Sequence, residues 1–168
     1  MYTTRELCFI GIFVALIIVC AWTSITIFAV PFTLQTFAVF LSGTILGTKK
    51  GVAAVFIYIL LGSVGVPVFS NFRGGLGVVF GATGGFIWAF PIMSFLAAKL
   101  PVFGLFAGMI ANLSMGMVWF AIFTQNSLQS SFFAVVLPFM PFEILKIIAV
   151  IIVGKSIKHA LKKAKIYV

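Results

Sequence analysis

Aspartate is missing from this chain, and only two acidic residues are present, Glu6 and Glu143. There is one histidine, His159, and there are two cysteines, Cys8 and Cys20. A metal site needs a cluster of His, Cys or carboxylate ligands, and a hydrolase needs a nucleophile with its base. Neither can be assembled from so few groups. His159 has no partner for zinc or proton transfer. Cys8 and Cys20 fall on one helical stretch, too far apart to bridge, and read as small hydrophobes. The Gly-rich run has neither the GxxxxGK[ST] nor the GxGxxG spacing of a phosphate cradle. Catalytic residues, metals and cofactors are therefore not expected. Polar stretches that would make a linker or a low-complexity segment are missing too, so the 168 residues read as one unit, 1–168.

What is there is apolar: 63% hydrophobic residues, 8% charged and a mean hydropathy of +1.31. No soluble domain hides that much apolar surface, so the expected class is an all-α integral membrane protein. The period-two alternation of a β-barrel is absent. A helical span takes about 20 apolar residues. Breaks at charges, prolines and glycine clusters mark six candidate transmembrane helices, at about 7–28, 33–48, 51–65, 84–99, 102–124 and 132–154. The first is too long for a signal-peptide core and lacks a convincing cleavage site, so it is read as retained.

With a cytoplasmic N-terminus, Arg5, Lys49, Lys50, Lys99, Lys155, Lys158, Lys162, Lys163 and Lys165 all face the cytoplasm, and so does the C-terminus. Only Arg73 then lies on an outer connection. This split obeys the positive-inside rule, which accounts for the net charge of +9. Nucleic acid is not an expected partner; the lipid bilayer is, with anionic headgroups beside the tail as an added contact.

Glu143 and Lys146 stand out, because they lie in the otherwise apolar stretch 134–153. A charge near the middle of a bilayer costs roughly 2.5–3.5 kcal/mol on the milder scales. Three residues apart on a helix, the two share a face and can neutralise each other while pointing into the bundle. Such a pair is better suited to holding a ligand than to acid–base work.

The run RGGLGVVFGATGG, 73–85, carries Gly74, Gly75, Gly77, Gly81, Gly84 and Gly85, and reads as an outer loop dipping toward the bundle. Its Arg73 can grip a carboxylate or a carbonyl. Phe69, Phe72, Phe80 and Phe86 flank the loop closely enough to line an apolar pocket. The first outer connection, Val30 to Thr36, offers Gln35 and hydroxyl groups beside Pro31. Asn112 sits in a ladder with Gly104, Gly108 and Gly116, which favours helix packing. Gly11 with Ala15, and Gly43 with Gly47 and Gly51, form small-residue faces fit for close contact with a helix or another subunit.

Three strings carry a resemblance: VPFTLQTFAVFLSGTILG, LLGSVGVPVFSNFRGGLGVVFGATGGF and PFEILK. They resemble the BioY family, the biotin-binding S components of bacterial energy-coupling-factor transporters. The resemblance implies six helices in a compact bundle in the bacterial cytoplasmic membrane. It further implies capture of biotin from outside under a roof made by the first outer loop and the glycine-rich loop. The ligand contacts it implies come from the residue before the GG of that loop and from the acid-x-x-Lys motif, here Arg73, Glu143 and Lys146. Asn71, Phe69, Gly75 and Gln35 complete the expected substrate-binding set. A T subunit and two ATPases would supply the energy, with the T subunit docking on Gly11 and Ala15. The sequence departs from the family at Glu143, where Asp is usual, at Ala82, where many members have Pro, and at Ile87, where some have Arg. The alternatives are an S component for another vitamin, a self-contained proton-coupled carrier titrating Glu143, and, more distantly, a membrane enzyme.

Overall fold

The computed structural model describes residues 2–25 and 30–164. Lys165 and the end of the expected first span, 26–28, lie outside the described residues. Those residues contain seven helices: α1 (Thr4–Trp22), α2 (Gln35–Ser63), α3 (Leu76–Val79), α4 (Gly84–Lys99), α5 (Pro101–Thr124), α6 (Leu128–Val135) and α7 (Met140–Lys163). Two short strands, β1 (Ser24–Ile25) and β2 (Phe32–Thr33), pair antiparallel between α1 and α2. The chain is an all-α, multi-pass membrane protein. Its buried apolar residues form one core shared by α1, α2, α4, α5 and α7.

α1 starts where the sequence supplies a capping box. Thr3 accepts from the Glu6 backbone, and the Glu6 carboxylate accepts from the Thr3 backbone, so two orphan donors are satisfied. α5 begins at Pro101, whose missing N–H costs nothing in a first turn.

α2 is a hairpin rather than a rod. Gly47 carries φ 78° and ψ −178° within it. The Ser42 hydroxyl lies 3.5 Å from the Gly51 carbonyl, and the Gln35 amide donates to the Tyr58 hydroxyl at 2.7 Å. In a straight helix those pairs would stand about 13 and 34 Å apart. The chain therefore folds back at Gly47, with 35–46 antiparallel to 48–63. These halves match the expected segments 33–48 and 51–65, but the connection shrinks to a single glycine, which reaches a backbone region closed to other residues. α1, α2 and α5 have the length and hydropathy of membrane-crossing helices; in α2 that length is divided between the two halves.

Of the small-residue face that the sequence leaves open to a helix or another subunit, Gly43 and Gly51 are used internally. A Cβ on Gly51 would lie 2.7 Å from the Ser42 carbonyl, and Gly43 presses on the Ser94 backbone. Ser42 and Ser94 share a hydrogen bond of 3.0 Å at that crossing. Bare backbone here lets the two halves of the hairpin meet at Gly51 and lets α4 approach the first half at Gly43.

The last expected span is also broken. α6 and α7 meet at 51°, with Val136–Phe139 between them. Pro138 and Pro141 withhold the amides that a continuous helix would need, and α7 starts afresh at Met140. Glu143 consequently sits in the first turn of α7, not midway along a span. There the helix dipole favours a carboxylate, which apolar length alone could not reveal.

Candidate functional site

Two helix starts converge on one buried polar cluster. Thr36 comes from the first turn of α2, and Glu143 with Lys146 from the beginning of α7. Glu143 is 3% exposed. Its Oε1 accepts from Thr36 Oγ1 at 3.0 Å and from Lys146 Nζ at 2.6 Å. Lys146 Nζ also donates to Thr36 Oγ1 at 2.9 Å. The threonine hydroxyl thus gives its one proton to the carboxylate and accepts from the ammonium, closing a triangle in which each group makes two contacts. Charge-assisted contacts of this kind are roughly twice as strong as neutral ones. Glu143 Oε2, by contrast, is buried with no hydrogen-bond partner among the described residues.

The cluster lines a cavity of about 610 Å³, its open mouth included. Val30, Pro31 and Thr33 of the first connection contribute to its wall, as do Phe69 and Ser70 of the second. Phe86, Ile87 and Phe90 of α4 join Asn112 and Leu113 of α5 and Phe139 ahead of α7. Apolar walls with a few converging polar groups are the usual form of a small-molecule site.

Of the residues expected from the sequence, Gln35, Phe69, Glu143 and Lys146 meet at this cavity; Arg73, Asn71 and Gly75 do not line it. Arg73 is exposed, and its carbonyl accepts from the Phe69 amide at 2.9 Å. Asn71, at φ 57°, takes a hydrogen bond from the Ser24 hydroxyl at 3.1 Å. Gly75, at φ 94°, donates its amide to the Gly62 carbonyl at 2.6 Å. These residues shape the loop that carries Phe69. The loop is further tied to the end of α1, since the Trp22 indole donates to the Pro67 carbonyl at 2.9 Å and its ring meets Phe72 at 5.0 Å. Phe69 and Phe86 face the cavity, whereas Phe72 and Phe80 are exposed. The glycine-rich run itself is partly helical, since α3 lies within it.

Gln35 is held by a relay. Its Nε2 donates to the Tyr58 hydroxyl, which donates to the Val68 carbonyl at 3.3 Å. Tyr58 is fully buried and meets the Phe69 ring edge-on at 5.5 Å. One side chain thereby fixes the Gln35 amide and braces the loop bearing Phe69. Nothing in the sequence pattern of α2 marks Tyr58, because its partners are brought to it by the reversal at Gly47.

Thr33, Thr36, Ser70, Thr83 and Asn112 are the polar wall residues absent from the expected binding set. The ladder by itself assigns Asn112 to packing. The glycines of that ladder do pack: Gly108 against Phe40, Gly116 against the Phe86 ring and Gly104 against the Leu96 carbonyl. Asn112 instead lies in the cavity wall, 3% exposed, with no donor to its Oδ1 among the described residues.

Gly11 and Ala15 are exposed on the outer face of α1, and a Cβ on Gly11 would meet nothing within 4 Å. Among the described residues no three His, Cys, Asp or Glu side chains gather as metal ligands.

Comparison with known proteins fits this architecture. The BioY family matches over residues 1–163. The chain belongs to the BioY family. Membership places it among transport components rather than enzymes. Similar relatives include the biotin transporter BioY of Thermotoga maritima, 39% identical, with 92% of this chain and 96% of the relative aligned. The probable biotin transporter BioY of Pyrococcus horikoshii is 37% identical over the same shares of the two chains. Biotin transporter BioY2 of Lactococcus lactis is 35% identical, covering 96% of this chain and 94% of its own. Among solved structures, the S-component for biotin from an ECF-type ABC transporter superposes with a TM-score of 0.80 over 95% of both chains, at 22% identity. This BioY-family fold is thus retained where most side chains differ.

Proposed function

We propose that the chain is the substrate-binding S subunit of a biotin uptake transporter, taking biotin from the outer side of the bacterial cytoplasmic membrane. The observation that carries this reading is Glu143: a buried carboxylate whose charge is balanced by Lys146 and which accepts from Thr36, yet whose second oxygen has no donor among the described residues, in the wall of an apolar cavity. Biotin's ureido ring offers two N–H donors and one carbonyl acceptor, and its thiophane ring suits walls such as Phe69, Phe86 and Phe90. The neutralised pair accepts a neutral ring at little electrostatic cost, whereas a lone Glu143 would select a cation. The names of the aligned relatives point to the same ligand.

In this reading 1–168 is one domain, six segments cross the membrane and both ends are cytoplasmic. Lys50 pairs with Glu6 at 3.4 Å, which puts the hairpin turn beside the start of α1. Gly154 packs against Thr44, so Lys155, Lys158 and Lys162 extend from that same end. Arg73 lies on the loop fastened to the opposite end of α1. A T subunit and two ATPases deliver the ligand, and the exposed Gly11–Ala15 face of α1 receives the T subunit through close backbone contact.

Binding of labelled biotin to the detergent-purified chain tests the reading. Saturable binding, competed by unlabelled biotin and lost in Glu143→Ala, is expected. A folded chain that binds no biotin refutes it.

A further inference from the structure

The glycine neighbours of Asn112 explain why helices approach closely at α5, but they leave the asparagine itself unexplained. Neither end of its amide has a hydrogen-bond partner among the described residues, and it is almost wholly buried. An unsatisfied buried polar group costs roughly 1–3 kcal/mol, and few survive in a native structure without a use. Leucine would fill the same space without that cost. The cavity wall contains one other such orphan, Glu143 Oε2.

We infer that Asn112 and Glu143 together read the ureido ring of the ligand, with Asn112 pairing along one edge of the urea. This rests on the biotin reading above. A primary amide presents an acceptor and a donor side by side, and a urea edge presents the complementary donor and acceptor. Asn112 Oδ1 takes one ureido N–H while Nδ2 donates to the ureido oxygen, and Glu143 Oε2 takes the second N–H. Both orphan acceptors and every polar group of the ring are then satisfied. The alternative orientation fails on charge: the carboxylate tail only accepts, and beside Glu143 Oε2 it would meet another anionic acceptor. Asn112 is thus a specificity-determining residue, and the ureido end of biotin lies at the α5–α7 wall.

The test compares wild type with Asn112→Leu for binding of three ligands: biotin, an analogue methylated on a ureido nitrogen, and the methyl ester of the tail. Asn112→Leu should weaken biotin about tenfold to hundredfold, the range set by one unsatisfied buried group. The penalty for ureido methylation should shrink in the variant, while the penalty for esterification stays as in wild type. Should the leucine variant not assemble, Asn112→Asp decides. It lacks the Nδ2 donor but accepts strongly, so it should shift preference at least tenfold toward the cyclic guanidinium analogue of biotin, which has donors in place of the ureido oxygen. Unchanged biotin affinity in Asn112→Leu, a methylation penalty retained in full, or an unmoved preference in Asn112→Asp overturns the assignment. Wild type that binds no biotin overturns the underlying reading instead, so the two failures are distinguishable.

Discussion

Replacing Lys146 with methionine keeps the length and apolar stem of the side chain but removes the ammonium. In the native structure the Lys146 and Glu143 side chains are 11% and 4% exposed and their charged atoms lie 2.6 Å apart. Without Lys146, Glu143 retains one donor, the Thr36 hydroxyl, while its charge remains buried. Breaking a buried pair in this way costs about 3–5 kcal/mol. For a chain of this size each kcal/mol moves Tm by roughly 2–4 °C, so Lys146→Met should lower the melting temperature on the order of 10 °C. The double variant Glu143→Gln/Lys146→Met removes the stranded charge and leaves an amide for Thr36. It should recover most of the lost stability yet bind biotin far more weakly than wild type. Thermal unfolding in detergent, followed by tryptophan fluorescence, reads the first effect, and labelled-biotin binding reads the second. A single variant melting within about a degree of wild type would falsify the reasoning, as would a double variant no more stable than the single one.

Further outcomes are expected elsewhere. Arg73→Ala should leave melting unchanged, since the guanidinium is exposed and surface changes are usually within about 0.5 kcal/mol; with Arg73 outside the cavity wall, biotin affinity should stay near that of wild type, and a tenfold loss would bring Arg73 into the site. Tyr58→Phe strands Gln35 Nε2 and the Val68 carbonyl without altering packing, so biotin binding should weaken several-fold and Tm should fall by a few degrees; Gln35→Ala should add little in that background, and full additivity in a double-mutant cycle would refute the relay. Gly47→Ala meets no steric neighbour but must adopt φ 78°, which should cost about 1–3 kcal/mol by thermal unfolding, whereas Gly11→Ala on the outer face of α1 should cost far less. Gly11→Leu or Ala15→Leu should block uptake in cells while purified protein binds biotin normally; undiminished uptake would move the T-subunit contact to another face.

How far each residue could be read from sequence depends on whether its role is local. The neutralising i,i+3 pair of Glu143 and Lys146 is short-range, and it stands in the structure as its spacing implies. Arg73 was singled out by charge, yet its side chain lies outside the cavity wall, because topology fixes which side a cation occupies but not whether it turns inward. Asn112 and Tyr58 went the other way. A glycine ladder describes the closeness of a helix contact and cannot say which group in it faces a void.

By itself the sequence determined the class, the approximate helical segments and the pairing of the two buried charges, since hydropathy, helix period and charge balance act along a few adjacent turns. It also determined the family, through strings in α2, in the two outer connections and in α7. Only the tertiary structure decided that α2 doubles back at Gly47, that α6 and α7 part at 51°, and that Thr36 closes a triangle with residues more than a hundred positions away. Those outcomes depend on which backbones can approach one another in three dimensions, a constraint that has no period along the chain.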